Sequence, residues 1–273
     1  MSLRFAYNTN GAANHRLDDA LTLIAEAGYD GVALTLDIHH LDPFDPDFLL
    51  NTRHVAARLR ALSLGCVVET GARFLLNPRA KHEPTLVSAD PDGRALRIDF
   101  LTRALTVAAE TGGEAMSFWA GVLQPGVDPA QARDWLLDGV GEIVRLAEAM
   151  GVTAALEPEP GMLVETVDDW RSLAIPGLKL ALDTGHCLVT RDRDPAAAVR
   201  ECAGSLGTVT IEDMKRGEHV HRPFGEGDMD LPSVLEALAS IGFAGLVCVE
   251  LSRESHRADV MIPAALAALR AAQ

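Results

Sequence analysis

Seven times along the chain a glycine is followed at once by a short apolar or β-branched run, and at most of these points a helical pattern has just ended. Gly28 precedes YDGVALTLD, Gly65 precedes CVVET, Gly112-Gly113 precede EAMSFW and Gly151 precedes VTAALEP. Gly177 precedes LKLALD, Gly207 precedes TVTIED, and Gly242 to Gly245 precede LVCVEL. Glycine suits the left-handed position after a helix, from which a short loop feeds a buried strand. With RFAYNT at the N-terminus the count is eight strands. Helical patterns alternate with them near 16–27, 46–64, 94–111, 129–150, 167–173, 195–204, 231–241 and 257–271. Asp128-Pro129 and Asp194-Pro195 place an N-cap before a proline at the first helical position, and Thr166-Val-Asp-Asp169 reads as a capping box with Asp in place of Glu.

Eight βα units in 273 residues predict an α/β fold, a (β/α)8 TIM barrel in a single domain over 1–273. No linker or low-complexity tract divides the chain, and 48% hydrophobic content is ample for one core. A dinucleotide-binding alternative needs a glycine fingerprint after the first strand, and Asn8-Thr-Asn-Gly-Ala-Ala is not one.

The formal charge of −15 argues against nucleic acid and anionic membrane as partners. MSLRFAYNTN has no apolar signal core, and no run approaches the ~18–20 apolar residues of a membrane span. Cys66, Cys187, Cys202 and Cys248 form no Cys-x-x-Cys pair and read as reduced thiols. A cytoplasmic protein is the expectation, and a homo-oligomer is compatible with it.

In a barrel, chemistry sits at the C-terminal ends of the strands. Of nine histidines, eight fall just after a predicted strand or in the following loop, and only His54 lies inside a predicted helix. Glu157, Asp183 and Glu250 each close a strand. Three acids at one mouth repel and raise one another's pKa, which a divalent cation relieves. Glu157 can instead pair with a neighbouring base, and Asp183 can instead cap a short helix. On strand seven, period two puts Thr210 and Glu212 on one face, unless Glu212 pairs with Lys215 or Arg216. His219 and His221 are placed to clamp a second metal, or are solvated loop residues. Candidate substrate contacts are His39, Glu69, Arg73, Lys81, Trp119, His186 and Arg253. The Arg79-Ala-Lys81-His82 run is suited to a phosphate or carboxylate.

These residues resemble the xylose isomerase-like barrels, the superfamily of sugar isomerases, ketose 3-epimerases, inosose-processing enzymes and endonuclease IV. The resemblance spans the chain and is most specific at Glu157, Asp183-Thr-Gly-His186, Phe224-Gly-Glu-Gly-Asp228 and Glu250. It implies a divalent metal (Mn, Zn, Mg or Co) held by Glu157, Asp183, the residue at 210 and Glu250. Glu157 and Glu250 would also be the acid/base pair on either face of a metal-bound enediolate, and His186 would touch substrate.

The sequence departs from that family at Thr210-Ile-Glu212-Asp213, where His-x-Lys-Asp is usual. Glu212 takes over as ligand, the metal has fewer protein ligands, or the geometry differs. His219-x-His221 looks like the Asp-x-His of endonuclease IV, which implies a second metal at His186, His219 and His221. The expected activity is a metal-dependent isomerase or epimerase of a small sugar, polyol or hydroxyketone. The alternatives are a metal-dependent hydrolase or lyase (a phosphoesterase or a dehydroshikimate-type dehydratase) and a non-catalytic metabolite-binding barrel.

Overall fold

Eight parallel strands close on themselves in a computed structural model that describes residues 2–273. They are β1 (Arg4–Asn8), β2 (Gly31–Thr35), β3 (Gly65–Glu69), β4 (Met116–Trp119), β5 (Ala154–Glu157), β6 (Lys179–Asp183), β7 (Leu206–Ile211) and β10 (Leu246–Val249). The ring runs β1-β10-β7-β6-β5-β4-β3-β2, the order of the (β/α)8 barrel.

Around it lie α1 (Leu17–Ala27), α2 (Phe48–Ala61), α3 (Pro91–Thr111), α4 (Pro129–Met150), α5 (Val167–Leu173), α7 (Pro195–Glu201), α8 (Leu231–Ser240) and α9 (Ala258–Ala272). Asp128 and Asp194 cap α4 and α7, and Thr166 and Asp169 make the reciprocal capping box of α5. No helix among the described residues is long and apolar enough to cross a membrane.

Four of the glycines mark helix ends as the pattern predicts, with Gly28, Gly112, Gly151 and Gly242 left-handed after α1, α3, α4 and α8. Two do not. After α2 the left-handed residue is Ser63, and Gly65 opens β3; Gly207 lies inside β7. There the requirement is space: a Cβ on Gly207 would sit 2.8 Å from Cβ of Lys179 and 3.0 Å from Cβ of Ala155.

Two elements lie outside the eight predicted helical patterns and eight predicted strands. Thr184–Thr190 forms a helix, α6, and the segment after β7 folds into an antiparallel hairpin of β8 (Asp213–Lys215) and β9 (Glu218–Arg222). Seven residues of TGHCLVT carry little helical period of their own; the cap from Asp183, one of the two roles expected of it, starts the helix.

Period two sorts each strand. Outward side chains such as Phe5, Tyr7, Val32 and Leu34 join the apolar layer beneath the helices, whereas Ala6, Ala33, Val67, Leu246 and Cys248 form a small packed plug inside the barrel. One step further along the inward face come Asn8, Thr35, Glu69, Trp119, Glu157, Asp183 and, past the last strand, Glu250. The fold thus delivers polar groups to one end on top of a closed apolar floor.

The long β3–α3 connection is pinned by Arg97 of α3, only 2% exposed. It donates from Nε to Pro84 O (3.0 Å) and from Nη2 to His82 O (2.9 Å), and its guanidinium lies 4.2 Å from the Trp119 ring centroid. Truncation leaves two carbonyls unpaired and a cavity behind. We expect Arg97→Ala to lower unfolding free energy by about 3 kcal/mol, read as a reduced urea midpoint. An unchanged midpoint would contradict the pinning role.

Candidate active site

A cavity of about 460 Å³ opens at the C-terminal end of the barrel, within the ~300–1,000 Å³ usual for small-ligand sites. Of the residues predicted from sequence, Glu69, Arg73, Lys81, Trp119, Glu157, His186, His219, His221, Glu250 and Arg253 line it. Asp183 and Glu212 lie beneath, 2% and 0% exposed. His39 is not brought there: the turn after β2 leaves it exposed, outside the cavity wall.

His186 is the hinge of the arrangement. Its Nδ1 lies 3.1 Å from Pro158 O, an acceptor, so that nitrogen carries the proton. Nε2 is left buried without a hydrogen-bond partner, 3.4 Å from Asp183 Oδ2 and 3.7 Å from Glu159 Oε2. Asp183 meets both of its sequence readings at once. Oδ1 caps α6 by accepting from Gly185 N (2.7 Å) and His186 N (3.1 Å), while Oδ2 is buried and unbonded.

Glu212 takes the inward parity of β7, and neither of its carboxylate oxygens finds a hydrogen bond. It lies so close to Gly185 that any side chain there would displace it. Its loop, the hairpin, brings His221 with Nδ1 3.9 Å from Glu212 Oε2 and Nε2 4.0 Å from Glu250 Oε1. On the same strand His219 Nε2 stands 3.7 Å from Glu159 Oε1, and the His186 and His219 rings meet edge to face at 4.8 Å.

Buried acceptors facing one another are costly unless a cation or proton lies between them. Three groups have ligand atoms all within 4.8 Å of one another: Asp183, Glu212 and His221; His186, His219 and His221; Glu157, Glu159 and His186. No such group among the described residues holds all four of Glu157, Asp183, Glu212 and Glu250. Glu157 and Glu250 stand on β5 and just past β10, three places apart in the ring, and reach the cavity from different walls. The unpartnered oxygens of Asp183 and Glu212 and Nδ1 of His221 are an oxygen-rich set with one imidazole, which fits a divalent cation.

The electrostatics follow from that crowding. Burial, then Glu159 and Asp183, push the Glu157 carboxyl well above the carboxylate range; burial and then Asp183 do the same to Glu212. Glu69 rises to about 8 through burial and Glu250, despite a hydrogen bond from Ser117. Burial opposes charge on His221, but Glu250 and Glu212 outweigh it and raise its pKa to about 10. His219 is lowered to about 4 by burial and its histidine neighbours. Burial also opposes charge on Asp183, yet His186 and His221 hold it below its ordinary value.

These shifts predict how the metal-free protein responds to pH. Glu69 and His221 have folded pKa values above the ordinary 4.5 and 6.5, so their contribution is present at low pH. It is lost as pH rises through about 8 and about 10. Asp183 acts in the opposite sense, but only in acid. With chelator present, Tm should fall between about pH 7 and pH 9, and a saturating divalent cation should raise it most at the alkaline end. A Tm that is flat or rising over that range would contradict this.

His82, part of the predicted anion-binding run, also lines the cavity, and four lining residues carried no sequence signal: Asn8, Asn10, Thr35 and Ser252. Asn10 matters most. Its Nδ2 donates to Glu250 Oε1 (2.8 Å), which fixes the amide orientation and leaves Oδ1 buried without a partner. Extending the inward parity of β1 by one step past Asn8 would have found it.

The model of the xylose isomerase-like TIM barrel family matches residues 21–272. An L-ribulose 3-epimerase of Mesorhizobium japonicum is 26% identical over 263 residues, covering 92% of this chain and 79% of that protein. A D-psicose 3-epimerase of Ruminiclostridium cellulolyticum is 27% identical over 197 residues, 68% of this chain and 65% of that protein. Among solved structures, one of L-ribulose 3-epimerase superposes with a TM-score of 0.77 at 21% identity, covering 99% of this chain and 95% of the other. The IolI protein with a bound zinc atom does so with 0.78 at 19% identity, covering 99% and 98%.

Proposed function

The chain belongs to the xylose isomerase-like TIM barrel family, and on that premise we propose that it is a sugar isomerase or epimerase acting on a small ketose, polyol or hydroxyketone. One observation carries the reading. Glu157 and Glu250 stand on two walls of one cavity, and a His186–His221 pair bridges them, Glu157 Oε1 lying 3.7 Å from His186 Nδ1 and Glu250 Oε1 4.0 Å from His221 Nε2. Two carboxylates on either side of a carbon are what moving a proton off one face and onto another requires.

Asp183, Glu212 and His221 would hold a divalent cation, with His186 beside them. When bound, the cation supplies a positive charge that polarises the carbonyl and offsets the negative charge left by proton removal. The protein's own groups do the rest. Glu250, held by Asn10 Nδ2, keeps one oxygen aligned, and Asn10 Oδ1 is free to accept from a substrate hydroxyl. Glu157, whose charge is disfavoured by burial and by neighbouring acids, is suited to hold a proton and return it. Trp119, braced by Arg97, contributes an aromatic surface to the wall where the sugar would lie. Relatives named as ketose 3-epimerases support this class of chemistry.

The test is solvent deuterium entering a panel of ketoses at the carbon next to the carbonyl. Incorporation with metal, and none after chelation, is expected; no incorporation into any ketose would sink the reading. A second reading rests on the His186, His219 and His221 group: another divalent ion there would suit a metal-dependent hydrolase or lyase. Two metals per chain, with phosphoester cleavage in place of exchange, would favour it.

A further inference from the structure

Three cations edge the cavity, and the proton-transfer chemistry above uses none of them. Arg73 and Lys81 come from the loop after β3, and Arg253 from the loop after β10. Lys81 and Arg253 are exposed; among the described residues neither makes an ion pair within 4.0 Å or a hydrogen bond. Arg73 makes one long ion pair, to Asp37 at 3.8 Å, with an acid that does not line the cavity.

Charge in this cavity is sorted by depth. Asp183 and Glu212 are buried, and the side chains of Glu157 and Glu159 are 12% and 20% exposed, against 35% for Arg73. Cations placed to neutralise these acids would pair with them. Instead the acids face histidines and Asn10. Like charges round one opening repel, so three cations on the rim of an acidic cavity, in a chain of net charge −15, are a cost that a bound anion would relieve. A ligand satisfying both ends carries a hydroxyketone at the acidic floor and an anion at the lip. Guanidinium groups bind carboxylate or phosphate through paired N–H donors, and lysine does so as a point charge.

Resting on the isomerase reading for the reacting end, we infer that the substrate is an anionic ketose, a sugar phosphate or sugar acid, whose charged group is held by Lys81, Arg253 and Arg73. This separates the chain from relatives named for L-ribulose and D-psicose, both uncharged.

Two measurements test the inference. The first compares deuterium exchange into D-fructose, D-fructose 6-phosphate and D-fructuronate, which differ only at C6, so that the arms separate phosphate from carboxylate. The second needs no turnover: calorimetric binding of D-glucitol, D-glucitol 6-phosphate and L-gulonate, the acid oxidised at the same C6, to wild type and to a Lys81→Gln/Arg253→Gln double variant. A charged ligand should bind at least about tenfold more tightly than its uncharged counterpart, and the double variant should lose most of that preference. Equal binding of charged and uncharged ligands, or a preference that survives in the variant, would overturn the inference. Exchange into D-fructose as fast as into the charged sugars would also overturn it while leaving the isomerase reading in place. Charge-selective binding with no exchange from any ketose would remove the isomerase reading and leave the anion-binding lip.

Discussion

Glu157→Gln should abolish deuterium exchange into the substrate, lowering kcat by about 10³-fold, while Tm holds or rises. The loss follows from the ~10²–10⁴-fold worth of a positioned general acid or base. Stability moves the other way because the Glu157 carboxylate is disfavoured by burial and by Glu159, Asp183, Glu69 and Glu250. A neutral amide of the same shape removes a repelling charge. Glu250→Gln should lose activity to a similar degree and keep its fold, since the amide oxygen can still accept from Asn10 Nδ2. Exchange rates and thermal unfolding on the same preparations decide the matter. Retained exchange in both variants would end the acid/base assignment, and a collapse in Tm would show these carboxylates to be structural.

His221→Ala should cost the protein its metal, with affinity falling by about a hundredfold or more. The family resemblance puts a histidine ligand on strand seven, and this chain has Thr210 there. The structure brings His221 to the neighbouring space from another element, with its Nδ1 in one group with Asp183 and Glu212. On the proposed reading, the hairpin would supply the imidazole that the strand lacks. The readout is metal per chain after dialysis, with titration calorimetry for affinity. Because His221 lies on the hairpin outside the barrel, its truncation should leave the circular dichroism unchanged. His219→Ala, outside that group, should cost less. Full metal retention in His221→Ala would return the ligand question to Glu157 and Glu250.

Much of this site was legible along the chain because strand parity is local. A strand that buries Ala155 and Ala181 inside the barrel must aim Glu157 and Asp183 the same way two residues later, and β7 does so with Thr210 and Glu212. Where local pattern was weak, the reading fell short. TGHCLVT is helical because Asp183 caps it, and HVH is a strand because DMK lies across from it. His39 was drawn in by its position after a strand, but the turn there exposes it. Asn10 was passed over because an asparagine in a short polar run carries no signal until Glu250, 240 residues away, is seen to accept from it.

The sequence by itself determined the eight βα units, the end of the barrel that carries polar groups, and the carboxylates that terminate its strands. Each depends on periodicity and capping within about ten residues, where covalent geometry leaves little choice. Only the tertiary structure decided the grouping: His221 with Asp183 and Glu212, Glu157 with His186, the cations at the lip and the acids at depth. Those are distances between residues far apart in the chain, set by barrel closure and by a hairpin folding back over the mouth.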